Sequence, residues 1–264
     1  MTGSGNDFVF VDGRSRSTAG LDAAEAIAAL CSRTDGVGAD GVVIIETDPA
    51  TAFRIRYYNR DGSRGELCGN ASLCSASLAT RLGMTNPAGF AFNTDVGQIS
   101  ARMEAGLPEI DLPPIRGLRV DAGIAPGPGE RRIGFADTGV PHLVVLVDDA
   151  DQVNLMARGR ELRFHPSLPA GANVNFVSAA GSLWRMRTYE RGVEGETLAC
   201  GTGSVASAAL LVAWGLAQPG PVGILTTSGR QLVATIPGDS SDASQHPALR
   251  GEGRLVFTGR FGEA

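Results

Sequence analysis

Two stretches of this chain, residues 70–82 and 203–216, have helical composition and almost no polar face. Leu73, Ala76, Leu78 and Ala79 make the first largely apolar, and the second is apolar nearly all round. A helix without a polar face has to be enclosed. Each is therefore expected at the centre of its own strongly bent sheet. Both stretches open directly after a Cys-Gly pair and a small polar residue, Leu67-Cys68-Gly69-Asn70 and Ala199-Cys200-Gly201-Thr202, about half the chain length apart. In each half, strands lead to the Cys-Gly pair, then the buried helix, then glycine-containing turns and more strands. The repeat lies in architecture and motif, not in close sequence.

Strand-like runs rich in β-branched or alternating residues fall at 8–11, 42–45, 53–58, 143–147, 173–177, 183–189 and 223–227. A third, Ala-rich amphipathic helix is predicted over 21–31. Proline and glycine accumulate in Leu112-Pro113-Pro114-Ile115-Arg116-Gly117 and in 123–129, which places a boundary there. The expected domains are 1–115, with a final strand at about 257–264 returning to it, and 116–256. The Ser/Asp-rich segment 238–251 reads as an exposed loop.

The 264 residues, 43% hydrophobic and 19% charged, suffice for one large or two modest cores. A net charge of -5 offers nucleic acid no basic surface. No run approaches about 18 apolar residues, and no charged n-region precedes an apolar run, so no membrane span or signal peptide is expected, and a cytoplasmic location is. All 23 basic residues are arginine. Without lysine, a Schiff-base pyridoxal phosphate and a Gly-Lys-Ser/Thr phosphate loop are both excluded. In a reducing compartment Cys31, Cys68, Cys74 and Cys200 are expected as thiols. Their spacing, with His142, His165 and His246 scattered, matches no structural zinc pattern, so no metal is expected.

A thiolate at a helix N-terminus gains from the unpaired N–H groups and the dipole, which draws its pKa from roughly 8.5 toward neutrality. Inverting a carbon beside a carboxylate needs a base on one face and an acid on the other. Two cysteines from two like domains, on either side of a cleft, would meet that need, exchanging roles with the hand of the substrate. N–H groups near Gly69-Asn70 and Gly201-Thr202 would hold the carboxylate and stabilise charge in the carbanion.

Gly3-Ser4-Gly5-Asn6-Asp7-Phe8, Gly38-Ala39-Asp40-Gly41, Asn59-Arg60-Asp61-Gly62-Ser63, Cys68-Gly69-Asn70, Thr138-Gly139-Val140-Pro141-His142, Asn173-Val174-Asn175-Phe176, Glu190-Arg191-Gly192 and Glu196-Thr197-Leu198-Ala199-Cys200-Gly201-Thr202-Gly203 follow one another in order over nearly the whole chain. Together they resemble the diaminopimelate epimerase family. The resemblance implies an α+β fold of two pseudo-symmetric domains, each a strongly bent, mostly antiparallel sheet or barrel around a central helix. It implies a homodimeric enzyme without cofactor that converts LL- to meso-diaminopimelate in lysine and cell-wall precursor synthesis. Carried over by motif, Cys68 and Cys200 would be the acid/base thiols. Asn6, Asn59, Asn173, Glu190 and Arg191 would bind substrate, Glu190 and Arg191 reading the distal amine and carboxylate. Gly69, Asn70, Gly201 and Thr202 would hold the reacting end.

The chain departs from the family pattern Cys-Gly-Asn-Gly-x-Arg-Cys at Ala71 and Leu73, carries Val140 where asparagine is frequent, and has Gly41 where some members have glutamine. These changes bear on the substrate more than on the chemistry. They motivate a second reading, a racemase or epimerase of a histidine or proline derivative on the same fold. A third reading is a thiol redox or binding protein pairing Cys68 with Cys200, and it lacks a Cys-x-x-Cys motif. The strand that usually precedes the Gly-x-Gly-Asn-Asp element is not in the sequence, which predicts an unpaired sheet edge or a start further upstream. Cys31 and Cys74 read as small core hydrophobes, Asp61-Gly62 as a turn, and His142 as either a hydrogen-bonded structural residue or an orienting group.

Overall fold

The computed structural model describes residues 1–15, 17–65, 68–238 and 246–260. The chain divides into two compact units, Met1–Ile110 with Arg250–Ala264, and Asp111–Leu249.

The first unit runs β1 (Thr2–Gly3), β2 (Asn6–Asp12), α1 (Ala24–Cys31), β3 (Gly41–Glu46), β4 (Arg54–Asn59), α2 (Gly69–Arg81), β5 (Phe90–Thr94), β6 (Gly97–Glu104) and β7 (Leu107–Asp111). Its strands lie in the order β1-β2-β3-β4-β5-β6-β7, with β2–β3 and β4–β5 parallel and the others antiparallel. β-branched runs such as Val42-Val43-Ile44-Ile45, buried on both faces, form its interior. Ile27 and Leu30 of α1 pack on Val42, Ile44 and Tyr58, and Phe53 stacks on Phe92 with centroids 4.8 Å apart.

The second unit runs β8 (Arg116–Arg119), β9 (Glu130–Asp137), β10 (Pro141–Val147), a 3-10 turn (Ala150–Gln152), α3 (Leu155–Arg163), β11 (Asn173–Ala180), β12 (Leu183–Glu190), β13 (Gly195–Thr197), α4 (Gly201–Ala213), β14 (Gly220–Leu225), β15 (Gln231–Ile236) and β16 (Ala248–Arg250). Its order is β16-β15-β14-β12-β11-β10-β9-β8, with β13 beside β12. Here β10–β11 and β12–β14 are parallel. The string β2-α1-β3-β4-α2-β5-β6-β7 therefore recurs as β10-α3-β11-β12-α4-β14-β15-β16, parallel ladders included.

The central helices match closely. Each has 13 residues, an extended cysteine as N-cap (φ -121° and ψ 112° at Cys68, φ -131° and ψ 109° at Cys200), and a C-terminus closed at a left-handed glycine, Gly83 or Gly215. α4 is buried continuously from Gly201 to Leu211 and packs on β9, β10, β11, β14 and β15. α2 is buried from Gly69 to Ala76 and again at Ala79, and packs on β1, β3 and β6. These are the apolar helices expected from composition, shifted by one to three residues.

Several boundaries differ from expectation. The first helix begins at Ala24, because Ala19 to Asp22 form turns, and the strand expected at 223–227 ends at Leu225, where the Thr226 N–H turns to donate to Arg230 O. Of the expected loop 238–251, residues 239–245 lie outside the described residues. Of its remainder, Gly238 and His246 are exposed, but Pro247, Ala248 and Leu249 are buried and β16 begins at Ala248, with Leu112 N–H bonded to Pro247 O. No strand forms over 257–260, where Phe257 is exposed, and 261–264 lie outside the described residues. The return to the first unit is made earlier, by a bridge between Thr2 and Arg254. The expected bare edge at β2 is covered at its start, where Thr2 and Gly3 pair with Asp7 and Asn6.

Candidate active site

Cysteine is a weak N-cap, and neither Cys68 nor Cys200 caps its helix with its side chain. The first N–H groups of α2 and α4 are thus not consumed by the residue that usually takes them, which leaves both ends suited to an anion. Cys68 is partly exposed and borders a cavity of about 10 Å³ lined by Ile55, Tyr57, Ala71, Ser72, Thr94 and Asp95, room for about one water. Cys200 is 8% exposed, with Sγ 3.7 Å from Thr202 Oγ1. The other thiols differ in kind: burial raises the Cys31 pKa and pushes Cys74 up to about 12, leaving them inert.

In the first unit the structure brings Asn6 and Asn70 together. Asn70 Nδ2 donates to Asn6 Oδ1 at 2.7 Å, and Asn6 Nδ2 donates to Asp40 Oδ2 at 3.0 Å. Asp40 also accepts from Asp7 N–H and from Arg33, whose guanidinium pairs with Asp7 as well. Burial pushes the Asp7 carboxyl up, but the hydrogen bonds and charge of Arg33 hold it below its ordinary value. Asn59, at the end of β4, is opposite Gly41 and donates to Ser63 Oγ within its own turn, where Asp61 also accepts from Ser63. Asp61 is a turn residue here.

The second unit places Asn173, Glu190 and Arg191 at neighbouring strand ends. Val174 is opposite Tyr189, which sets Asn173 across from Glu190. Asn173 Oδ1 accepts from Arg191 N–H at 2.8 Å, and the Arg191 guanidinium donates to Ala170 O. Gly201 and Thr202 are buried in the first turn of α4, and the Thr202 carbonyl accepts from Thr138.

Beneath Cys200 lies a buried network. Thr188 Oγ1 donates to Asn175 Oδ1 at 2.9 Å, which turns the Asn175 NH₂ toward His142 Nδ1 (3.1 Å) and Leu143 O (3.0 Å). His142 Nδ1 is then an acceptor, so the neutral ring carries its proton on Nε2, which has no partner. Burial, with a contribution from the Arg191 charge, lowers the His142 pKa to about 3. A Cβ on Gly203 would lie 2.4 Å from Asn175 Oδ1 and 3.1 Å from Cys200 Sγ, so glycine at 203 is what lets the amide reach the thiol's surroundings. Asn175, Thr188, Asp40 and Tyr57 were not singled out from sequence. Gly41 and Gly65 close on Tyr57 only in the folded chain, where a Cβ on either would fall 2.7 or 2.3 Å from its ring; a Cβ on Gly41 would also lie 2.6 Å from Tyr58 O, which explains why Gly41 carries no larger side chain.

With this geometry in view, the family model for diaminopimelate epimerase matches residues 1–109 and 134–244. A diaminopimelate epimerase from Gemmatimonas aurantiaca is 50% identical, the match covering 99% of this chain and 97% of that one. The chain belongs to the diaminopimelate epimerase family. Another member, from Aquifex aeolicus, is 38% identical over all of this chain and 96% of its own. Among solved structures, a putative phenazine biosynthesis protein from Clostridium difficile shares the fold at 15% identity, with a TM-score of 0.71 over 98% of this chain and 94% of its own. A hydroxyproline epimerase from Agrobacterium vitis does so at 21% identity, with a TM-score of 0.61 over 85% and 76%. Among the described residues, no helix is long and apolar enough to cross a membrane.

Proposed function

We propose that this chain is a cofactor-independent isomerase that epimerises LL-diaminopimelate to meso-diaminopimelate, in lysine and peptidoglycan precursor synthesis, with Cys68 and Cys200 as its two acid/base groups. One observation carries the assignment of the thiols: in a member of this family, two cysteines occupy the same N-cap position, with the same backbone conformation, on two matched buried helices. One thiolate takes the α-proton while the other thiol gives its proton to the opposite face of the same carbon. The two cysteines leave the cycle with their protonation states exchanged, and the reverse reaction restores them. The first-turn N–H groups of Gly69-Asn70 and Gly201-Thr202 hold the reacting carboxylate and the charge that develops on it. Asn6, Asn59, Asn173, Glu190 and Arg191 bind the remainder, the acid and base of Glu190-Arg191 matching a distal amino-acid end. The full-length relatives named for diaminopimelate favour this substrate over a histidine or proline derivative. The same reading carries a cytoplasmic homodimer, and light scattering tests the dimer.

The test is incubation of LL-diaminopimelate in deuterated water. The protein should produce meso product deuterated at the inverted α-carbon, and Cys68→Ser or Cys200→Ser should lower turnover by about a thousandfold or more, since proton transfer by a positioned group is worth ~10²–10⁴. Full turnover in either variant defeats the two-thiol mechanism. Racemisation of a simple L-amino acid in place of diaminopimelate defeats the substrate assignment.

A further inference from the structure

The hydrogen bonds of the first unit have a direction, and that direction ends on an atom with nothing to accept from. Asp40 receives Arg33 Nη2 on Oδ1 at 2.9 Å, and Asn6 Nδ2 and Asp7 N–H on Oδ2 at 3.0 and 3.3 Å. A carboxylate engaged by donors alone offers only acceptors. Asn6 must turn its NH₂ toward it and its carbonyl away. That carbonyl takes the Asn70 NH₂ at 2.7 Å, so Asn70 in turn presents Oδ1. Asn70 is 2% exposed, and this oxygen has no hydrogen-bond partner. An amide carbonyl buried without a donor is costly, and here the orientation that leaves it bare is enforced from two residues away.

Asn70 stands in the first turn of α2, two residues after Cys68. A carboxylate on the N–H groups of that turn brings with it whatever else its α-carbon carries. In an α-amino acid that is an ammonium, with three donors and no acceptor. We infer that Asp40 is a positioning residue which, acting through Asn6, fixes Asn70 Oδ1 as the acceptor for the α-ammonium of the reacting end. This deepens the proposed epimerase reading and rests on it. Arg33 braces the carboxylate, but the polarity of the relay needs only Asp40.

The experiment compares two ligands by calorimetry, meso-diaminopimelate and L-2-aminopimelate, which keeps both carboxylates and one amino-acid end but has hydrogen in place of one ammonium. In Asp40→Asn, Asn6 is free to flip. The diaminopimelate Kd, and KM in turnover, should rise about tenfold, the scale of one lost polar contact, while the 2-aminopimelate Kd changes less than about twofold. Asp40→Glu, which keeps the carboxylate, should recover most of that loss. Arg33→Met should leave the ratio of the two affinities unchanged. Should Asp40→Asn fail to fold, Asn70→Ala must show the same selective loss. Equal weakening of both ligands in Asp40→Asn or Asn70→Ala overturns the inference, as does a loss confined to kcat, which would assign Oδ1 to the Cys68 thiol instead. Wild-type α-deuteration of LL-diaminopimelate is measured alongside. Its absence defeats the proposed function, whereas unselective weakening in an active protein defeats only the relay.

Discussion

The two halves repeat one order of elements and one pair of helix caps, but they are filled differently beneath the cysteines. The ladder registers align Phe8, Val43 and Tyr57 of the first unit with His142, Asn175 and Thr188 of the second. The first set is largely apolar, with Phe8 and Tyr57 edge to face at 6.1 Å. The second is a hydrogen-bonded network in which amide orientation and ring tautomer are both fixed. The same backbone therefore tolerates either filling, and the difference lies in what each does for its thiol. In the second unit order is imposed from the core outward. In the first it is imposed from a half-exposed ion cluster, Arg33 with Asp7 and Asp40, inward to Asn70.

The strongest way to break this contrast is to fill the second unit like the first. Asn175→Val puts the aliphatic side chain of Val43 into the matching position and strands Thr188 Oγ1, Leu143 O and His142 Nδ1 in a dry interior. At ~1–3 kcal/mol for a buried group left unpaired, urea unfolding should register a loss of about 3 kcal/mol or more. A loss under about 1 kcal/mol would mean the network is incidental and the two interiors are interchangeable.

Next in size is the position that faces this amide. Gly203 corresponds to Ala71 in α2, a departure visible in the sequence that the interiors explain, since the residue matching Asn175 is Val43 and not an amide. Gly203→Ala drives a methyl into Asn175 Oδ1 and should cost about 1–3 kcal/mol, as overpacked cores do. The reciprocal change, Ala71→Gly, should cost only about 0.5–1 kcal/mol, the price of helix glycine. Equal costs in thermal unfolding would erase the asymmetry.

What the sequence disclosed follows the range of each interaction. The strands β3, β10 and β11 were legible because β-branched runs record burial on both faces, and the Cys-Gly caps because cap chemistry involves adjacent residues. α3 was not: three of its nine residues are arginine, and the buried Leu155, Gly159 and Leu162, spaced by four and three, were its only helical signal. β6, β9 and β15 mix charged or polar with apolar residues on half-exposed faces and carry weak patterns. Asp40 and Asn175 were missed because their partners, Asn6 and His142, stand 34 and 33 residues away. No local spacing records such a bond.

A change of slope, not of size, isolates His142 by its titration. Its folded pKa is lowered to about 3 by burial, whereas in the unfolded chain a histidine titrates near 6.5. Below about pH 6.5 the unfolded state binds a proton that the folded state refuses. The stability that this group contributes is complete above 6.5 and is lost as pH falls toward 3, at about 1.4 kcal/mol per pH unit once the unfolded histidine is protonated. Between pH 6 and 5 few carboxylates titrate, so the slope there is readable against a variant. His142→Phe, which installs the residue that the first unit has at Phe8, lowers stability at every pH by weakening the Asn175 network. It should nevertheless reduce the slope of unfolding free energy against pH by about 1 kcal/mol per unit in that window. An unchanged slope would mean that His142 takes up a proton while folded, and the fixed Nε2 tautomer beneath Cys200 would have to be abandoned with it.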